Sequence, residues 1–147
     1  TEQVVGALRP AFRGRAGAIA DDLLTMASII EKEAPAGLRD KRLISGILWK
    51  RLKNDMLLQV DAPFAYAIGK NTYQLSLDDL KIDSPYNTYL YKGLPPTPIA
   101  SPGLDAIEAA KDPLESEYWF YLSDRRGNMY YAETFEEHKA NKTLHIR

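Results

Sequence analysis

An α+β fold, a helical core followed by a C-terminal β-hairpin, is what this sequence predicts, and three observations carry the prediction. Two amphipathic stretches follow one another from Asp21 to Asp55, a proline-rich run fills residues 83–103, and an aromatic stretch broken by a turn signal lies near the end. Helices first and strands later, without alternation, argue against a parallel α/β sheet.

The first stretch, Asp21 to Ala34, places Leu23, Leu24, Met26, Ala27, Ile29 and Ile30 at helical spacing, with Asp21 and Asp22 suited to a helix start and Pro35 and Gly37 to its end. The second, LRDKRLISGILWKRLKND, sets Leu38, Leu43, Ile44, Ile47, Leu48 and Leu52 on one side and Arg42, Lys50, Arg51 and Lys53 on the other. Shorter helical pieces are expected at APFAYAIG and at SLDDLK, where Ser76 and Asp79 have capping-box spacing. Residues 83–103 hold five prolines and two glycines, too many for regular structure, and ordered loops of that length usually build a site. Ser101 and Pro102 are expected to open a helix running to Lys111. YWFYLSDRRGNMYYAET reads as two strands joined by a turn at Arg126 to Asn128, and FEEHKANKTLHIR as a surface helix.

Composition bounds the chemistry. The 147 residues are 45% apolar and 27% charged, enough for one domain spanning residues 1–147 to bury a core unaided by disulfides or metal. There is no cysteine, which excludes thiol catalysis and thiolate zinc. Two histidines without a ligand cluster give no metal site, no cofactor motif is present, and His138, among Glu136, Glu137 and Lys139, is expected to be a surface histidine. Nineteen basic and 20 acidic residues are well mixed, so nucleic acid is not an expected partner. The opening TEQVVGALRP is no signal peptide and reads as the interior of a longer chain.

Acidic candidates are few. In EKE, residues 31–33, each glutamate falls roughly 80° from the centre of the apolar stripe, on opposite flanks, so periodicity does not choose between them. Glu31 neighbours the small Ala27 and Ser28, which leave room for a ligand; Glu33 neighbours Met26, Ile29 and Ile30. Both also fit as solvated helix-edge residues. Asp61, in LLQVDAP, fits either a site or an N-cap for a helix at Pro63.

Taken together, LTMASIIEKEA, LLQVDAPFAYAIG, SPYNTYLYKGLPPTPIASPG and YWFYLSDRRGNMYYAETFEEH resemble, in order and in approximate spacing, blocks of the YceG-like family of endolytic murein transglycosylases. The resemblance covers roughly residues 18 to 141. It implies a lysozyme-like cleft, with Glu31 as the catalytic acid and Glu33 as a structural or supporting one. The implied substrate-binding residues are Ser28, Gln59, Asp61, Tyr86, Asn87, Thr88 and Tyr89, and Pro95, Pro96, Pro98 and Pro102 would form a rigid wall. The family's substrate is peptidoglycan, and its members are held at the bacterial inner membrane with the catalytic domain on the periplasmic side, where peptidoglycan synthases are possible partners. Neither the membrane helix nor the LysM-like region that accompany this domain in the family is visible in the 147 residues.

One carboxyl can suffice for such chemistry. Hydrolytic glycosidases need a second carboxylate for a nucleophile or an activated water. When the sugar's own C6 hydroxyl attacks, a single glutamate first gives and then takes a proton. That glutamate must be protonated near neutrality, which burial beside apolar groups achieves. Two other readings stay open: a glycan-binding module without catalysis, and a lysozyme-like hydrolase with Asp61 as second acid.

Overall fold

In a computed structural model of the chain, residues 16–34 and 37–146 are described. They form five α-helices and a two-stranded antiparallel sheet, an α+β fold. The helices are α1 (Ala16–Glu33), α2 (Leu38–Lys53), α3 (Ala62–Ile68), α4 (Leu104–Lys111) and α5 (Phe135–His145); the strands are β1 (Phe120–Ser123) and β2 (Met129–Ala132). Pro35 and the opening TEQVVGALRP lie outside the described residues.

The core sits where α1, α2 and α4 meet. Met26, Ile29 and Ile30 from α1 and Ile44, Leu48 and Trp49 from α2 have no exposed surface. Each such side chain contributes roughly 1.5–3 kcal/mol of burial free energy. Helix α4 presents Ala106, Ala109 and Ala110, all buried, and alanines let its backbone approach α1 closely. Trp49 satisfies its indole N–H on the Ala110 carbonyl at 3.0 Å, so α2 and α4 are joined by a polar bond inside an apolar layer.

Several local expectations change in detail. Helix α1 begins at Ala16, so Asp21 and Asp22 lie within it and not at its start. Arg51, expected on the outer face of α2, is only 5% exposed. Its Nε and Nη1 donate to the carbonyls of Trp119 and Leu57 at 2.8 and 2.9 Å, and its guanidinium lies 4.9 Å from the Phe120 ring centre. Helix α4 starts at Leu104, two residues past Pro102. The Ser76 and Asp79 capping box does form, each side chain accepting from the other's backbone N–H at 3.1 and 3.0 Å, but it opens only a single 3-10 turn, Asp79–Lys81.

Polar side chains hold the long loop. Asn87 is fully buried; its amide donates to the Leu80 and Ile82 carbonyls and its oxygen accepts from the Tyr89 N–H. Thr88 exchanges two bonds with the backbone of Val60, which ties the loop to the segment before α3. In the hairpin Tyr121 pairs with Tyr131 and Leu122 with Tyr130. The connecting turn uses Gly127 at φ 86 and Asp124, whose two oxygens accept four hydrogen bonds. Those donors hold the Asp124 carboxyl down at about 2. Helix α5 packs across both strands, with Thr134 as a side-chain N-cap.

Candidate functional site

The end of α1, the 57–61 segment, the loop residue Tyr89, the hairpin and α5 enclose a groove of about 700 Å³. The acid that the groove receives from α1 is Glu33, its last residue. Met26, Ile29 and Ile30, one and two turns back on its flank, are wholly buried. From the hairpin, Tyr121 donates its hydroxyl to Glu33 Oε1 at 2.9 Å. Opposite, Asp61 accepts the Tyr89 hydroxyl at 2.6 Å. Burial, together with the nearby Asp61 charge, raises the Glu33 carboxyl from 4.5 to about 7 against the opposing pull of the Tyr121 hydrogen bond. Glu33 is therefore an acid that holds its proton well above the usual carboxylate range, in contact with a groove.

Glu31 has another place. Its Oε1 accepts the N–H of Gly103, the N-cap of α4, at 2.6 Å, and it does not line the groove. A carboxylate at a helix N-terminus satisfies an orphan donor and faces the positive end of the helix dipole. The placement has a physical reason: the small Ala27 and Ser28 let α4 and the loop before it approach α1 closely. Ser28 is fully buried, donating to the Thr25 carbonyl at 2.7 Å and accepting from the Ile99 N–H at 3.0 Å.

Of the other candidates, Gln59, Asp61 and Tyr89 line the groove. Gln59 is exposed in a left-handed conformation, φ 53, which turns the chain so that its neighbours Leu58 and Val60 are buried. Asp61 occupies the N-cap position of α3 yet makes no side-chain cap bond, because its carboxylate is engaged by Tyr89. Ser28, Tyr86, Asn87 and Thr88 are not among the groove residues. Asn87 and Thr88 spend their polar atoms on the backbone, and Tyr86 shares a 2.8 Å hydrogen bond with Thr97. Pro95, Pro96, Pro98 and Pro102 are also not among the lining residues.

Tyr121, Arg51 and His138 are among the groove residues that escaped the sequence reading. His138 is half-buried and not a surface residue, stacked on Phe120 with ring centres 5.0 Å apart. Burial and the Lys142 and Arg51 charges push its imidazole down to about 4, so it is neutral at physiological pH. The only available signal was its place in a helix directly after an aromatic hairpin. Among the described residues no group of three or more His, Asp or Glu side chains is arranged to hold a metal ion.

The chain is similar to known proteins over most of its length. The model of the YceG-like family matches residues 3–143. The chain is 42% identical over 124 residues to an endolytic murein transglycosylase of Bacillus subtilis (strain 168), a stretch that is 84% of this chain and 34% of that protein. It is 41% identical over 132 residues to the endolytic murein transglycosylase of Streptococcus pneumoniae D39, covering 86% of this chain and 24% of that protein. The chain thus spans about a third or less of the length of these relatives. A crystal structure of a yceG-like protein from Listeria monocytogenes superposes with a TM-score of 0.78 at 38% identity, over 91% of this chain and 42% of that one.

Proposed function

This chain belongs to the YceG-like family, and we propose that its groove cleaves peptidoglycan as an endolytic lytic transglycosylase, with Glu33 as general acid and then general base. The observation that carries the proposal is the Glu33 carboxyl, raised to about 7 in a groove that it shares with Asp61, Tyr89 and Tyr121. The names of the relatives support the substrate class. Glu33 protonates the oxygen leaving the β-1,4 bond between N-acetylmuramic acid and N-acetylglucosamine. As carboxylate it then takes the proton from the C6 hydroxyl of the same muramic acid, whose oxygen closes on the anomeric carbon to give a 1,6-anhydro end. The bond broken is the glycosidic C–O, the bond made is C6–O–C1, and no water is consumed. Gln59, with its exposed amide, and Tyr89 offer polar and aromatic surface to the sugar.

Asp61 supports a second reading. It lines the same groove and its charge acts on Glu33, so a hydrolase using both carboxyls is the alternative. Mass spectrometry of murein digested by the 147-residue chain separates the two. Anhydro-muramyl ends are expected; reducing ends would make it a hydrolase, and intact strands retained on the protein would make it a binding module.

The placement of Glu31 gives a sharper check. Glu31→Gln is expected to cleave at the wild-type rate while lowering stability by about 1 kcal/mol, read as a urea midpoint, since only a cap to α4 is weakened. A folded Glu31→Gln protein that no longer cleaves would return the acid role to Glu31.

Among the described residues no helix is long and apolar enough to cross a membrane. We place the domain on the periplasmic side of the bacterial inner membrane, held by a segment outside these 147 residues and near peptidoglycan synthases. Fractionation and cross-linking of the natural protein in cells test both statements; recovery from the cytosol without synthases would overturn them.

A further inference from the structure

The groove carries an electrostatic asymmetry that proton transfer does not use. Its acids are engaged internally: Glu33 by Tyr121, Asp61 by Tyr89, and Asp124 by its own turn and Tyr130. Its cations differ. Lys32, Arg51, Arg126 and Lys142 all line the groove, and among the described residues none of the four is in an ion pair. Unpaired positive charge gathered in a concave site is expected to attract an anion.

Three donor side chains of the lining, Arg51, His138 and Lys142, lie within electrostatic reach of one another, since both cations act on the imidazole. The Phe120 ring has the Arg51 guanidinium 4.9 Å from its centre and the His138 ring stacked at 5.0 Å. Lys142, one turn after His138 on α5, also lines the groove. Arg51 spends Nε and Nη1 on carbonyls; Nη2 has no partner and is not enclosed. Nδ1 of His138 is enclosed and bonded to nothing, whereas Nε2 is not enclosed. A buried N–H with no acceptor is costlier than a bare lone pair, so the imidazole hydrogen belongs on Nε2, toward the groove. The neutral state of His138 fits the positive neighbours it stands between.

We propose that Arg51 and His138, which both pack on Phe120, form with Lys142 a subsite for a carboxylate on the peptide stem of the glycan, so that the groove prefers strands with acidic stems. The inference rests on the glycan-cleaving reading above. It adds a specificity that the sugar backbone of stem-bearing strands does not account for, because each muramic lactyl carboxyl is tied up as an amide where a stem is attached. A guanidinium edge, an imidazole N–H and an ammonium group together match the acceptor-only oxygens of a carboxylate.

The test uses the Glu33→Gln chain, which binds without cutting, and three short glycans of one length: stems with free carboxylates, stems converted to carboxamides, and a stem-free chito-oligosaccharide, which carries no lactyl carboxyl. Titration calorimetry is expected to give a Kd at least about fivefold lower for the acidic form than for the other two, as one partly exposed charge contact provides, and the gap should narrow from 50 to 500 mM salt. Adding Lys142→Gln, or His138→Phe, which keeps the ring stack on Phe120, should shrink the preference. ¹⁵N NMR of His138 is expected to show the Nε2–H tautomer across neutral pH. Equal affinity for the three glycans, equal weakening of all three by Lys142→Gln, or an Nδ1–H tautomer would each overturn the subsite. If the glycans bind equally and the wild-type chain still cuts the stem-bearing ones, only the subsite fails. If the wild-type chain neither binds nor cuts any of them, both readings fail.

Discussion

Glu33→Gln is expected to lower the rate of glycan cleavage by about 10²–10⁴-fold, the range that a positioned general acid–base contributes, with the fold intact. The amide can still accept the Tyr121 hydroxyl, so the groove keeps its shape while losing its proton. The same substitution has a stability signature that ordinary active-site damage lacks. The Glu33 carboxyl is raised in the folded protein from 4.5 to about 7. Below pH 4.5 both folded and unfolded chains carry the proton, and the stabilising contribution is complete. As the pH rises toward 7 the unfolded chain releases the proton first, and that contribution is lost. At pH 8 the wild type therefore folds around an ion that its surroundings disfavour, and Glu33→Gln should be more stable by on the order of 2 kcal/mol. At pH 4 the two should be nearly equal. Urea midpoints at both pH values check this. A variant destabilised at pH 8, or one that still cuts at near the wild-type rate, is incompatible with Glu33 as the acid.

The neighbours of Glu33 make the assignment testable by direction as well as by loss. An acid that must be protonated gives a rate that falls as pH climbs through its ionisation near 7. The Tyr121 hydrogen bond favours the carboxylate, so Tyr121→Phe moves that alkaline limb upward. The Asp61 charge disfavours it, so Asp61→Asn moves the limb downward. Opposite displacements from two substitutions on either side of one carboxyl are hard to obtain from any other titrating group in the groove.

The helices were legible because the period of Met26, Ile29 and Ile30, and of Ile44, Ile47 and Leu48, is a local property, as is the alternation that marks the hairpin. The choice between Glu31 and Glu33 was not, because both sit symmetrically about one stripe and the partners that separate them come from far along the chain. Gly103 is 72 residues beyond Glu31, and Tyr121 is 88 beyond Glu33. Small residues at Ala27 and Ser28 signalled close approach correctly, but a sequence does not say whether a ligand or a helix approaches. Asn87 and Thr88 carry the same ambiguity: buried polar groups in a prolyl loop need partners, and here the backbone supplies them. Arg51 and His138 looked solvated by helical phase, because the Phe120 ring against which both pack comes from the hairpin, far along the chain from Arg51 and on a separate element from His138.

Gly46→Ala, a change remote from the chemistry, is expected to be among the most destabilising single substitutions, by roughly 2–4 kcal/mol. On helix propensity alone the sign should be opposite, because alanine is favoured over glycine in a helix interior by about 1 kcal/mol. Contact reverses it. A Cβ on Gly46 would stand 2.1 Å from the Leu114 carbonyl oxygen and 3.0 Å from its carbon, so backbone must move. That backbone is pinned on both sides of the contact. The Leu114 N–H donates to the Arg42 carbonyl at 2.9 Å, Arg42 Nε donates to the Asp112 carbonyl at 2.9 Å, and Lys50 Nζ donates to the Ser116 carbonyl at 2.9 Å. Relieving the clash strains these bonds and shifts the segment that leads into the hairpin, whose Trp119 carbonyl holds Arg51 at the groove. Ser45→Ala is the adjacent control. The Ser45 hydroxyl is buried with no hydrogen-bond partner, so its removal should leave stability unchanged or raise it slightly. Urea unfolding of the two variants should then depart from wild type in different directions or by very different amounts. A Gly46→Ala protein as stable as wild type would mean that α2 and residues 112–116 do not meet backbone to backbone, and that the hairpin reaches the groove by some other support.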